Sequence, residues 1–284
     1  MFAKKFKAIA VALLAVALAA CGGGGNSAGS SQTATNPPQA NPPQAPAQNN
    51  AEWTFAGSAP MVSGPNVAVV FAPATLSSTG VTGSGSTISA ASEPLRSEVQ
   101  QSSYGGAFTT IGTSALSISL TPGSTISDLN GAGGYVAIGR WNHGSDSSGG
   151  NYTANQGAHY AVGTSLTLSP GTGSLACSNL MATSPTSVTG SVAPGTLVSA
   201  SATLDLTTLT LTNFSETVTI GADKQAPITA ATVPTGGGQF GGGLSFLVRT
   251  MGSDSTKPLV AIAYGARLPN TGDINGLVVL SCHS

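Results

Sequence analysis

Few residues of this chain carry charge: nine Lys and Arg and ten Asp and Glu, 7% of 284 residues. The basic residues gather only at Lys4, Lys5 and Lys7. No positive stripe is therefore left to neutralise a run of phosphates, which excludes a nucleic-acid binder. The acidic residues are scattered singly, so no carboxylate pair is set up for acid–base catalysis. His143, His159 and His283 are the only histidines, and none has metal-ligand spacing to another His, a Cys or a paired carboxylate. The oxygens of Asp128-Leu-Asn130 and Asp273-Ile-Asn275 open no calcium loop and read as turns. Gly83-Ser-Gly-Ser-Thr87 lacks the helix that a serine-nucleophile elbow requires. Helical periodicity is missing after Ala20, except that Leu95 and Val99, four apart, predict one short helix over 93–101. The expectation is a non-enzymatic protein with no metal and no cofactor.

What is present begins with an export signal. Lys4, Lys5 and Lys7 precede Ala8 to Ala20, apolar at every position, and the run ends in Leu18-Ala-Ala-Cys21. A basic start, a short apolar core and small residues before a cysteine form a lipoprotein signal, and the run is too short to span a ~30 Å hydrocarbon core. Residues 1–20 are then removed. Cys21 becomes the acylated N-terminus, and two or three chains at roughly 0.8 kcal/mol per buried methylene hold the protein on a bilayer. Gly22 stands where an Asp would signal inner-membrane retention, which points to the outer membrane and leaves its face open. The mature chain keeps six basic and ten acidic side chains. Residues 21–51 form a tether: four glycines, then Asn36-Pro-Pro-Gln-Ala40 repeated as Asn41-Pro-Pro-Gln-Ala45. Such a segment forms no core and runs flexible, then extended, at ~3.1 Å per residue.

The remainder reads as strands and turns. Its 38 glycines and abundant Ser and Thr favour an all-β fold. Asn66-Val-Ala-Val-Val-Phe-Ala72 reads as a buried strand. Over 115–121 the residues alternate, placing Leu116, Ile118 and Leu120 toward a core and Ser117 and Ser119 toward water. From Gly134 the strands become dense: 135–141, 158–163, 174–178, 199–206, 209–214, 216–220, 239–249, 259–266 and 274–281. Residues 201–206 and 208–212 read as a hairpin. Glycines inside strands supply curvature, as a closed antiparallel barrel requires, although a sandwich leaves similar marks. The organisation expected is a small β-rich subdomain over 52–133 and an antiparallel β-barrel of about eight strands over 134–284.

With Cys21 given to lipid, Cys177 and Cys282 are left either as a disulfide in an oxidising compartment or as two separate thiols. Two long polar loops, 142–156 and 180–194, are candidates for recognition. The first carries His143, Asp146 and Tyr152. Trp141, Tyr152 and Tyr160 are candidate contact aromatics, with Trp141 and Tyr160 equally suited to a core.

Gly139-Arg-Trp141, Ala158-His-Tyr-Ala-Val-Gly163, Ala193-Pro-Gly-Thr-Leu197 leading into Leu204-Asp-Leu206, Ala263-Tyr-Gly265 and Asp273-Ile-Asn-Gly276 occur in this order. Together they resemble the C-terminal β-barrel domain of transferrin-binding protein B-like lipoproteins, over roughly Gly134 to Cys282. The resemblance implies an eight-stranded barrel on a lipidated tether, used for binding. By analogy with small haem-binding relatives it would make His143 a haem or metal ligand, against the plainer reading of a solvated loop residue. The transferrin-contacting segments have no counterpart here. The function expected is a surface lipoprotein binding a protein or small molecule at its barrel loops. The alternatives are a structural envelope lipoprotein and a hydrolase with an unrecognised serine.

Overall fold

The computed structural model describes residues 48–49, 52–81, 90–91, 98–113, 116–235, 238–240 and 243–284. The signal, Cys21, the tether up to residue 47 and Gly83-Ser-Gly-Ser-Thr87 lie outside them. The described residues are all-β. Those with four or more residues in a strand are, in chain order, β1 (Thr54–Gly57), β2 (Val67–Ala72), β3 (Phe108–Thr113), β4 (Leu116–Ser119), β5 (Thr125–Ala132), β6 (Val136–Asn142), β7 (Ala158–Thr164), β8 (Ser174–Ala182), β9 (Thr196–Asp205), β10 (Thr210–Ile220), β11 (Asp223–Pro234), β12 (Leu244–Met251), β13 (Leu259–Leu268) and β14 (Gly272–His283).

Two large sheets divide the chain. The first orders Gln48–Asn49, β1, β5, β6, β7, β2 and Ala90–Ala91, antiparallel except for the parallel pair β1 and β5. The second orders β11, β10, β9, β8, β14, β13, β12 and Gly238–Phe240, antiparallel throughout. In the second sheet each strand from β8 to β11 and from β12 to β14 pairs with its neighbour in sequence, and the last strand returns to pair with the first. That is the connectivity of an up-and-down barrel. No ladder among the described residues joins β11 to Gly238–Phe240, so the sheet is a curled half-barrel with its opening there. The barrel expected from sequence is present in this form.

Burial explains the layering. Successive side chains of a strand point to opposite faces, and β2, β6, β13 and β14 are apolar on both. In β2, Val67, Val69 and Phe71 join one core while Ala68, Val70 and Ala72 join another. In β13, Val260, Ile262 and Tyr264 fill the half-barrel while Ala261 and Ala263 face the first sheet. Three cores result: one inside the half-barrel, one between the two sheets and one beneath the small sheet of Gln100–Gln101, β3 and β4. Trp141 and Tyr160 clamp that small sheet. Trp141 Nε1 donates to Phe108 O (2.8 Å), and Phe108 N donates to Tyr160 Oη (3.1 Å). Both aromatics are fully buried, so they are core and not contact residues.

Two tyrosines lie over glycines directly across the strand. Tyr160 faces Gly139 and Tyr264 faces Gly276. A Cβ on Gly139 would stand 2.3 Å from Tyr160 Oη, and one on Gly276 2.4 Å from Tyr264 Oη. The missing side chains are the space that the rings occupy.

Several expectations are corrected. Strands β6 and β7 belong to the first sheet, so the chain changes sheet between Thr164 and Ser174 and not at 133/134. Of the helix expected over 93–101, residues 93–97 lie outside the described residues, and Gln100–Gln101 is a strand. Strand β11, which holds Pro227 and Pro234, is absent from the strands expected from sequence. It is a sheet edge, where a missing N–H is tolerated. Asp128-Leu-Asn130 is a bulge inside β5 and not a turn: the register shifts there and Asp128 is left-handed (φ 57°). Asp273 likewise lies in β14, accepting from Ser78 Oγ (2.6 Å).

Cys177 and Cys282 are directly opposite in the β8–β14 pair and form a disulfide closing a separation of 105 residues. This bond locks the strand pair that returns the chain end to the start of the second sheet. A loop of this length corresponds to as much as about 4.7 kcal/mol in the chain-entropy model. Cys282→Ser is expected to lower unfolding stability by about 2–5 kcal/mol, measured by denaturant titration. Wild type under reductant should fall to the same level, and equal stability with and without reductant would show that the bridge contributes nothing. Gly276→Ala, which drives a methyl into Tyr264, is expected to cost about 1–3 kcal/mol in the same assay.

Candidate functional site

The two loops singled out for their polar composition lie side by side. Gln156 Nε2 donates to Val188 O (2.7 Å) and Asn155 Nδ2 donates to Gly190 O (3.2 Å). The second loop is shorter than expected, since residues 180–182 complete β8 and Thr186–Ser187 pairs with β14.

Beneath the loops sits a buried polar cluster at one end of the space between the sheets. Arg140 and His159 are opposite each other on β6 and β7 and face that space. Arg140 Nε donates to Asp128 Oδ2 (2.8 Å), and its Nη1 donates to Gln156 O (3.2 Å), the end of the first loop. Asp128 accepts in turn from Ser184 N (3.0 Å) and Ser184 Oγ (3.1 Å), the start of the second. His159 is fully buried and meets Thr183 Oγ1 at Nδ1 (2.7 Å), and Thr186 Oγ1 (3.0 Å) and Asn275 Oδ1 (3.1 Å) at Nε2. The Asn275 amide donates to Pro73 O and Ala74 O, which assigns its oxygen to His159 and places the imidazole proton on Nε2. Burial, with the Arg140 charge added, pushes the His159 pKa down to about 3, so it is neutral. This histidine is a structural brace.

Above the cluster, residues 142–156 form a hairpin through Gly144–Ser145 and Asn151–Tyr152. Asp146 organises it, accepting from Ser148 N (2.8 Å), Gly150 N (3.1 Å) and the Tyr152 hydroxyl. Burial and the Asp146 carboxylate push the Tyr152 hydroxyl far above its usual range, so it stays protonated. An open cavity of about 560 Å³ lies against this hairpin, lined by His143, Ser145, Asn151, Tyr152, Thr153 and Gln156 with two glycines. His143 is exposed and left-handed (φ 46°), a conformation that costs a side-chain-bearing residue roughly 1–2 kcal/mol. Among the described residues no group hydrogen-bonds its imidazole. Next to it, Asn142 Oδ1 is buried without a hydrogen-bond partner, an unspent acceptor at the loop's root.

His143, Asp146 and Tyr152 are thus brought to one place, but only His143 and Tyr152 line the cavity. Among the described residues no cluster of three His, Cys, Asp or Glu could hold a metal. Sequence reasoning did not find the Arg140, Asp128, His159 and Asn275 cluster. Its one signal was charge inside otherwise apolar strands.

A second buried ionisable group lies inside the half-barrel. Glu216 on β10 is fully buried among Phe214, Val218 and Ile220. Neither carboxyl oxygen has a partner at hydrogen-bonding geometry, and the facing Tyr264 hydroxyl offsets only part of the cost. Burial pushes its pKa up to about 8.

Comparison with known proteins finds no matching family model, no matching curated protein and no matching solved structure.

The two buried groups set opposite pH dependences. For Glu216 the unfolded chain loses its proton near 4.5 and the folded one near 8, so stability falls between these values. For His159 the unfolded chain takes a proton near 6.5 and the folded one near 3, so stability rises over that window. The slopes cancel from about pH 4.5 to 6.5, leaving a decline of about 1.4 kcal/mol per pH unit from 6.5 to 8. Glu216→Gln should flatten that decline and expose a rise from 4.5 to 6.5 in urea unfolding. A variant with the wild-type slope would mean that Glu216 ionises freely in the folded state.

Proposed function

We propose that this chain is a lipid-anchored protein of the bacterial outer membrane whose β-domain binds an environmental or host ligand and does not catalyse a reaction. The observation that carries this reading is the meeting of two long polar loops over one buried brace. Loops on a rigid scaffold are where recognition concentrates. The Leu18-Ala-Ala-Cys21 lipobox and the Gly- and Pro-rich tether supply anchorage and reach. The motif order shared with transferrin-binding protein B-like barrels supports presentation and binding over chemistry, with no particular partner implied. Trp141 and Tyr160 are withdrawn from the contact surface by their burial, and the cavity side chains replace them.

Two measurements test the proposal. Metabolic acyl labelling of the protein should vanish in Cys21→Ser, with precursor accumulating; label that persists would refute anchorage at this residue. The mature wild-type protein should show no turnover of ester or glycoside substrates. Turnover abolished by one serine or carboxylate substitution would replace binding by catalysis.

A further inference from the structure

We propose that the cavity beside His143 is a subsite for a neutral saccharide, an assignment that rests on the binding function argued above. Its volume, about 560 Å³, falls in the size range of small-ligand sites, roughly 300–1,000 Å³. The lining decides the chemistry. Among the described residues no Lys, Arg, Asp or Glu contributes to it. The two charged groups nearest in the chain are already committed: Asp146 to Ser148, Gly150 and Tyr152, and Arg140 to Asp128 and Gln156. A phosphate, a carboxylate or a haem propionate meets no free cation there, and a basic ligand meets no free carboxylate. An acyl chain or an apolar side chain is equally unserved, since the lining has no Leu, Ile, Val, Met or Phe among the described residues.

What the lining offers is neutral donors and acceptors. Ser145 Oγ donates to Thr121 Oγ1 and Asn151 Nδ2 to Gly149 O, which leaves the Ser145 oxygen and the Asn151 carbonyl and second amide hydrogen to a ligand beside the Thr153 hydroxyl and the ring nitrogens of His143; Gln156 is largely spent on Val188 O and Thr153 N. Tyr152 borders the cavity but is itself buried in the core beneath it, 7% exposed, with its hydroxyl on Asp146, so it forms a wall and offers little open face. Densely placed neutral hydroxyls are what this set complements. The left-handed backbone at His143 holds an exposed side chain in a position that glycine would occupy more cheaply. No hydrogen bond of its side chain among the described residues offsets that cost.

The test uses the mature full-length lipoprotein in a polyoxyethylene detergent, which carries no sugar. Calorimetry is run with neutral oligosaccharides of glucose, galactose and N-acetylglucosamine, their sulfated counterparts, haem, and a neutral Gly/Ser/Asn peptide. The expected result is binding of at least one neutral oligosaccharide, no tighter on sulfation. His143→Gly and Asn151→Ala should each weaken it by about tenfold, the loss of one hydrogen bond. His143→Gly should melt at or above the wild-type temperature, so that the loss is not one of folding. Saccharide binding untouched by both substitutions would overturn the site. Binding confined to haem, sulfated sugars or peptide, yet weakened by the substitutions, would overturn the saccharide and leave the loop-binding function standing. Binding of no probe would count against both.

Discussion

The ion pair of Arg140 with Asp128, buried where the two sheets meet, is the interaction on which the site depends. A charge pair out of water is retained only when its remaining donors and acceptors are filled. Here they are filled by the surface loops: Gln156 O takes a guanidinium N–H, and Ser184 gives both its backbone and side-chain hydrogens to the carboxylate. The adjoining His159, Thr183, Thr186 and Asn275 cluster adds a second hold on the later loop. The two loops are therefore set by the same buried groups, and their position is a property of the core.

Around this brace the packing is decided by side-chain size. The face shared by the two sheets is rich in alanine, with Ala68, Ala72, Ala161, Ala261 and Ala263, which lets the sheets approach closely. The larger aromatics turn the other way, with Phe214 against Phe246 inside the half-barrel and Phe71 against Trp141 beneath the small sheet. In the outer strands β9 and β10, Ser and Thr supply most of the residues that are not buried. A chain with so little charge stays hydrated on that side through hydroxyls. The exposed edge of β11 carries prolines, which blunt it against pairing with another chain.

Much of this was legible in the sequence, and the gaps have physical causes. Strands such as β2, β13 and β14 stood out because two-sided burial demands unbroken apolar runs. Strand β5 was hidden because a bulge uses the same residues, Asp and Asn before Gly, that a turn uses. The loops 142–156 and 180–194 were both visible from their polar content, whereas their meeting was not, because Gln156 and Val188 are brought together only through sheet packing. The repeated glycine and aromatic motifs that resemble a lipoprotein barrel also have a local explanation. Gly139 with Tyr160, and Gly276 with Tyr264, are cross-strand pairs in which a ring covers the space of a missing side chain, a device suited to any strongly curved antiparallel sheet.

One ion pair, with its guanidinium buried and its carboxylate largely so, holds both loops of the site. Native-state hydrogen exchange of Asp128→Asn measures this most directly, since Asn tolerates the left-handed backbone while removing the charge. The expected result is faster exchange in 142–156 and 183–191 together, with the strands of the half-barrel still protected. Loosening of one loop alone, or of neither, would contradict it.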